Sequence, residues 1–142
     1  MPLRNDWYWQ PENPELETFI QQRQPTSEQM EQSDAFVLVS PEWSGMAAPA
    51  VKNFLLYVKQ EMANKPCLLV SVSSGRGGRY PIAELRMSSY KNTQVCYIPQ
   101  HIIVDHVKDR LNEVPVHEQN KEDIYIRERI AYSLQMLQQY AI

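Results

Sequence analysis

Asp34-Ala35-Phe36-Val37-Leu38-Val39-Ser40-Pro41-Glu42-Trp43-Ser44-Gly45 is the stretch on which the fold of this chain turns. Its five residues Ala35 to Val39 are apolar without alternation, which predicts a strand over Asp34–Ser40 covered on both faces. Pro41 and Gly45 signal a turn. The spacing of Ala50, Val51, Phe54, Leu55 and Val58 then predicts a helix over Ala47–Gln60 with one apolar face. The same alternation continues downstream. Asn64-Lys65-Pro66 breaks the helix, Cys67–Ser73 reads as a second buried strand, and Tyr80–Lys91 reads as a helix carrying Ile82, Leu85 and Met87. Gln94–Ile98 is a third strand. His101–Val114 fits no single period, and Glu122–Tyr140 is a C-terminal helix with Ile126, Ile130, Leu134 and Leu137 on one face. Strands alternating with helices of this length give a parallel sheet with right-handed crossovers, an α/β domain.

Upstream, residues 1–13 read as an irregular lead-in rich in aromatics and proline. Pro14 suits the first turn of a helix running to Gln22, with Glu15 and Glu17 at its positive end. A second short helix is predicted from Ser27, whose hydroxyl can cap it, to Ser33. We read residues 1–142 as a single domain: lead-in and short helices over 1–33, a core over 34–100, and a C-terminal segment and helix over 101–142.

Composition narrows the function classes. A chain of 142 residues with 43% apolar residues and a mean hydropathy of -0.50 has enough Val, Leu, Ile, Phe, Tyr and Met to build one core, which excludes disorder. A net charge of -3 and a pI near 5.6 argue against a nucleic-acid partner. No apolar run approaches the ~20 residues that span a bilayer, and Met1–Trp7 has no apolar signal region, so a cytoplasmic location is expected without membrane partners. The 2 cysteines make no disulfide framework, and both Cys67 and Cys96 read as small core residues within strands. Charge is uneven: residues 1–34 carry -5, residues 35–100 carry +4 and the remainder -2. A solvated mixed surface accounts for this as well as an anionic ligand does.

The 4 glycines are the most informative residues. Gly45, Gly75, Gly77 and Gly78 all fall near the carboxyl ends of predicted strands, where open α/β sheets bind ligands. Backbone can approach a ligand there only where no Cβ intervenes. Ser73-Ser74-Gly75-Arg76-Gly77-Gly78 is not a Walker loop, because no Gly-Lys-Ser/Thr follows, and it lacks Gly-x-Gly-x-x-Gly spacing. Its amides and hydroxyls, with Arg76 and Arg79 nearby, suit a ligand edge rich in acceptors.

Asp34 to Gly45, followed by Pro49-Ala50-Val51-Lys52-Asn53, resembles the strand–Pro-Glu-Tyr-Asn-Gly–helix segment of the NADPH-dependent FMN reductases. Lys65-Pro66, a strand, and Ser71-Val72-Ser73-Ser74-Gly75-Arg76-Gly77-Gly78 resemble that family's second flavin loop. The likeness covers about residues 34–100. It implies a flavodoxin-like αβα sandwich and a flavoprotein oxidoreductase that passes hydride from NAD(P)H to FMN. Electrons would go on to a quinone, azo, metal or flavin acceptor. It further implies that Pro41, Glu42, Trp43, Ser44 and Gly45 wall the isoalloxazine, while Ser74, Gly75, Arg76, Gly77 and Gly78 face its pyrimidine edge. Trp43 stands where the family has Tyr, conserving an aromatic face, and Ser44 stands where it has Asn.

The same resemblance exposes a departure. The family opens with a strand, a Gly/Ser-Ser-x-Arg-x-x-Ser-x-Asn phosphate loop and a second strand, and none of these is found here; Met1–Gln10 is similar to the linker that follows them. An absent βαβ unit is ~30 residues. The sheet would then be N-terminally truncated, with weakened FMN anchoring and an open apolar edge at Ala35–Ser40. That predicts a homo-oligomer joined across this edge, or a natural start upstream of Met1. A non-catalytic oligomerisation or interaction module is the alternative function.

Other residues support weaker readings. Ser44 with His101, Asp105 and His106 could make a hydrolase triad, but no Gly-x-Ser-x-Gly elbow exists and surface histidines are the simpler reading. His101, His106, His117 and the cysteines lack zinc spacing, so no metal site is expected. Trp7, Tyr8 and Trp9 could pack beneath the lead-in or cover a flavin or a partner. Met62, Met87 and Met136 read as core filler.

Overall fold

A computed structural model describes residue 12 and residues 14–58, 60–112 and 119–141. The elements in chain order are α1 (Pro14–Glu31), β1 (Phe36–Trp43), β2 (Met46–Ala47), α2 (Pro49–Tyr57), β3 (Pro66–Val72), α3 (Arg79–Ser88), α4 (Tyr90–Thr93), β4 (Cys96–Val104), a 3-10 turn (Val107–Asp109) and α5 (Lys121–Tyr140). The sheet order is β2-β1-β3-β4. β1, β3 and β4 are parallel, with Leu38 opposite Leu69 and Val70 opposite Ile102. Only β2 runs antiparallel, pairing Trp43 with Met46.

β3 is the centre of the molecule. Leu68 and Leu69 are both 0% exposed and, as neighbours on a strand, face opposite layers. Leu68 packs with Ile98, Ile102 and Val104 beneath Ile126 and Leu137 of α5. Leu69 packs with Ala47, Leu55, Ile82 and Leu85 beneath α2 and α3. A third cluster, Met30, Val58, Met62, Cys67 and Val95, closes the amino ends of the strands. This is the expected three-layer flavodoxin-like arrangement.

Several sequence expectations are corrected. The two short helices near the N-terminus are one helix, α1, with Pro25 inside it. Ser27 does not cap: its hydroxyl donates to Glu61 at 2.6 Å, and Arg23 one turn earlier pairs with the same carboxylate. These anchors flank Pro25 and offset the loss of its backbone donor. Lys65 closes the far end by donating to the carbonyls of Met30 and Glu31 at 2.9 and 2.6 Å. The helix predicted from Ala47 to Gln60 is shorter, because Met46–Ala47 turns back as β2 and Pro49 opens α2. Tyr80–Lys91 is split at Ser89 into α3 and α4.

β4 extends to Val104, well past the predicted Ile98. Cys67 lies opposite Tyr97 and Leu69 opposite His101, so β4 bulges around Pro99 and Gln100. Arg86 satisfies the bulge by donating to the carbonyls of Ile98 and Gln100 at 2.6 and 2.8 Å. Cys96 begins that strand and is exposed, not a core residue. Met87 and Leu134, both expected in the core, are 76% and 44% exposed, and Ser133 takes the buried place on α5.

β1 is not covered on both faces as predicted. Phe36 and Leu38 pack inward, whereas Val37 and Val39 are 47% and 51% exposed. α5 packs on β3 and β4, and these two valines stay half exposed. Beyond the Glu42–Ala47 and Trp43–Met46 pairs, the outer edge of β1 pairs with no strand among the described residues. Among the same residues, no helix is long and apolar enough to cross a membrane.

Leu69→Ala is expected to cost about 2–5 kcal/mol, because its contacts with Ala47, Leu55, Ile82 and Leu85 are lost and a cavity remains beneath α2 and α3. Urea unfolding measures this, and a loss under 1 kcal/mol would contradict the central placement of β3.

Candidate functional site

Two loops meet at the carboxyl ends of β1 and β3. The first is the β1–β2 hairpin, where Ser44 and Gly45 hold φ of +52° and +74°. Paired left-handed residues match the twist of the flanking strands, which is why a short polar residue and a glycine stand there. The second is Ser73–Gly78, between β3 and α3. It is tied to the neighbouring strand end by three backbone bonds: Ser73 N–H to Val104 at 2.9 Å, and His106 and Val107 N–H to Gly75 and Ser73 at 3.1 Å each.

Glu42 links the two loops. Its side-chain Oε2 accepts the backbone N–H of Gly78 at the start of α3, where a carboxylate is favoured by the helix dipole. A Cβ at Gly77 would lie 2.5 Å from both Glu42 Oε2 and Ser73 Oγ. A side chain at Gly77 would therefore have to displace the Glu42 carboxylate and the Ser73 hydroxyl. Gly78, at φ +94°, closes against Ile103 of β4, whose Cγ2 would sit 2.6 Å from a Cβ there.

A second carboxylate works in the reverse direction. Glu84 of α3 accepts the Ala47 amide at 2.7 Å and Lys52 Nζ at 3.0 Å. These contacts, the Ala47 amide first, hold its carboxyl below the ordinary glutamate range against the opposing effect of burial. Ser40 Oγ completes the tie by accepting Ala48 N–H at 3.1 Å. The hairpin and the glycine loop are thus both tied to α3.

The arrangement leaves donors open. Among the described residues, the amides of Ser74, Arg76 and Gly77 have no acceptor, and a Cβ at Gly75 would meet nothing within 4 Å. Gly78 differs, its amide being taken by Glu42. Ser71 Oγ is buried without a partner among the described residues, 3.4 Å from the Cβ position of Gly78. Trp43 stands 64% exposed beside the hairpin, and Pro41, Ser44, Gly45, Ser74 and Arg76 are exposed or half-buried around it. A planar ligand with several acceptors along one edge fits such a set of amides: a glycine-lined cradle, free N–H groups and an aromatic face are what an isoalloxazine requires.

The hydrolase grouping does not assemble. His106 Nδ1 lies 3.6 Å from Asp105, but Ser44 sits in the hairpin and bonds to neither among the described residues. Burial, with Arg86 and Arg129 nearby, lowers the pKa of His101. Burial pushes the Cys67 thiol up to about 12, which removes it as a nucleophile. Trp7, Tyr8, Trp9 and His117 lie outside the described residues. Sequence reading missed Glu84 and Lys52, which are 32 positions apart and give no local signal.

Glu84 has its pKa lowered by folding, so its contribution is present above its unfolded pKa and is lost as pH falls through the folded value. The Glu84 contribution to thermal stability should be constant near neutrality and drop below about pH 4, and Glu84→Gln should remove that part of the acid drop. Melting curves across pH check this; an unchanged profile in the variant would dismiss the clamp.

An oxidoreductase from Corynebacterium diphtheriae superposes with a TM-score of 0.68 at 12% identity, over 84% of this chain and 62% of that one. An NADPH-quinone reductase from P. pentosaceus superposes with a TM-score of 0.51 at 16% identity, over 84% of this chain and 73% of that one. Such identities speak for the fold. This chain spans less than two thirds of the length of the first. Comparison with curated proteins gave no match. The model of the family described as NADPH-dependent FMN reductase matches residues 5–109, a span that takes in both loops and all four strands. The family's description names both NADPH and FMN. The chain belongs to the NADPH-dependent FMN reductase family.

Proposed function

We propose that this chain is a flavin-dependent NAD(P)H oxidoreductase whose site lies between the β1–β2 hairpin and the Ser73–Gly78 loop. The observation that carries the reading is the set of amides at Ser74, Arg76 and Gly77 that have no acceptor among the described residues, in a loop where a Cβ on Gly77 would crowd the Glu42 carboxylate. Those amides would hold the acceptor-rich pyrimidine edge of FMN, and Gly75 leaves the approach clear. Pro41, Trp43, Ser44 and Gly45 would form the opposite wall, Trp43 by stacking. Glu42 acts indirectly: by holding Gly78 it keeps the loop amides pointed at the ligand. When bound, FMN supplies the hydride chemistry, accepting from NAD(P)H and passing electrons to a quinone, azo, metal or flavin acceptor. No side chain here need serve as acid or base. The free thiols and the reduced nicotinamide substrate fit a cytoplasmic enzyme.

Purified protein should be yellow, or should quench added FMN fluorescence at micromolar concentration. Gly77→Ala should weaken FMN by about tenfold or more, a change of ~1.4 kcal/mol, with far-UV circular dichroism preserved. Colourless protein that binds no FMN would sink the reading.

A second reading has its own observation. The bare edge of β1, with Val37 and Val39 half exposed on one face, favours self-association. Antiparallel pairing of two β1 edges about a two-fold axis would satisfy both backbones and bring the four valines together. As a non-catalytic alternative, this assembly would be the chain's whole role; it is also compatible with flavin binding. Sedimentation should show a dimer in the wild type and a monomer in Val39→Lys. A monomeric wild type at micromolar concentration rejects it.

A further inference from the structure

Where α5 packs on β4, the outermost strand of the sheet, lies a cavity of about 190 Å³. Ile102, Ile103 and Ile126 give it apolar walls, and the polar side chains that line it are His101, Tyr125 and Arg129. No carboxylate is among these lining residues. Arg129 is anchored through one nitrogen. Its Nη2 donates to the Gln100 side-chain oxygen at 3.2 Å and to the His101 carbonyl at 3.1 Å. Its Nε and Nη1 have no acceptor, and it joins no ion pair, among the described residues. The Tyr125 hydroxyl and the His101 ring nitrogens have no partner there either. Burial, then the charges of Arg86 and Arg129, lowers the pKa of His101. The imidazole is therefore neutral at pH 7 and offers one donor and one acceptor. A fixed, unneutralised guanidinium with donors to spare, beside apolar walls and two further polar groups, is an arrangement that recognises an anion on an apolar body. Size narrows the choice. A cavity of about 150 Å³ holds a benzene ring, so this one has room for a single ring and not for a nucleotide.

We propose that this cavity binds a small aromatic carboxylate. Arg129 would take the carboxylate through Nε or Nη1, with hydrogen bonds added by the Tyr125 hydroxyl and the His101 ring. Ile102, Ile103 and Ile126 would cover the ring of the ligand. One guanidinium beside a neutral histidine matches a single negative charge, which favours a carboxylate over a phosphate. The site does not rest on the flavin reading, because none of its residues belongs to the hairpin or to the glycine loop.

The test is isothermal titration of the full chain at pH 7 with benzoate, benzamide and acetate. A charge-assisted contact is worth roughly tenfold or more in affinity. Benzoate should therefore bind wild type more tightly by that factor than benzamide, which lacks the charge. It should also exceed acetate, which lacks the ring. Arg129→Gln should bring benzoate down to the level of benzamide. Because Arg129 also ties the edge of β4, the unaltered protein supplies a second reading. In its amide nitrogen–proton spectrum, benzoate should move the signals of residues 101–103 and 125–129. Benzoate that binds wild type no better than benzamide or acetate overturns the proposal, and so do shifts confined to other residues or a folded Arg129→Gln that keeps the preference for the charged probe.

Discussion

Burial of two consecutive residues, Leu68 and Leu69, on opposite faces of β3 is the constraint on which the rest of the structure depends. A strand that is apolar on both sides must be sandwiched, so one helical layer cannot be enough. α5 answers Leu68 and α2 with α3 answer Leu69. Once these layers are in place, the crossovers must leave the sheet at its carboxyl ends. The backbone there has no ladder partner and must find acceptors elsewhere.

The solution is a pair of carboxylates running in opposite directions. Glu42, on a strand, accepts from the first residue before α3, and Glu84, on α3, accepts from the hairpin that follows that strand. Each meets an amide that would otherwise be orphaned, and together they join segments far apart in the chain. Among the described residues, the amides of Ser74, Arg76 and Gly77 in the glycine loop keep no acceptor.

The two free edges of the sheet are treated differently. At β4, Arg86 and Arg129 reach over to the carbonyls of Ile98, Gln100 and His101. At β1 no comparable side chain is found among the described residues, and the adjoining face shows Val37 and Val39. Guanidinium groups blunt one edge against pairing; the other retains the character of a pairing surface.

Residue order alone was enough for the strand–helix alternation, the parallel sheet, the placement of all four glycines at strand ends and the family likeness over the two loops. These are local patterns of period, length and turn chemistry, and each is written in a short window. It did not reveal that α1 continues through Pro25, that β4 bulges past Pro99, that Cys96 and Met87 face solvent, or that Val37 stays half exposed. Those outcomes depend on which element lies overhead and which distant side chain supplies a bond: Glu61 to Ser27, Arg86 to the bulge, α5 over β3 and not β1. The glycines mark where a ligand can approach. Only tertiary structure decides which of their amides remain free to meet it, because Glu42 takes one of them from 36 positions away.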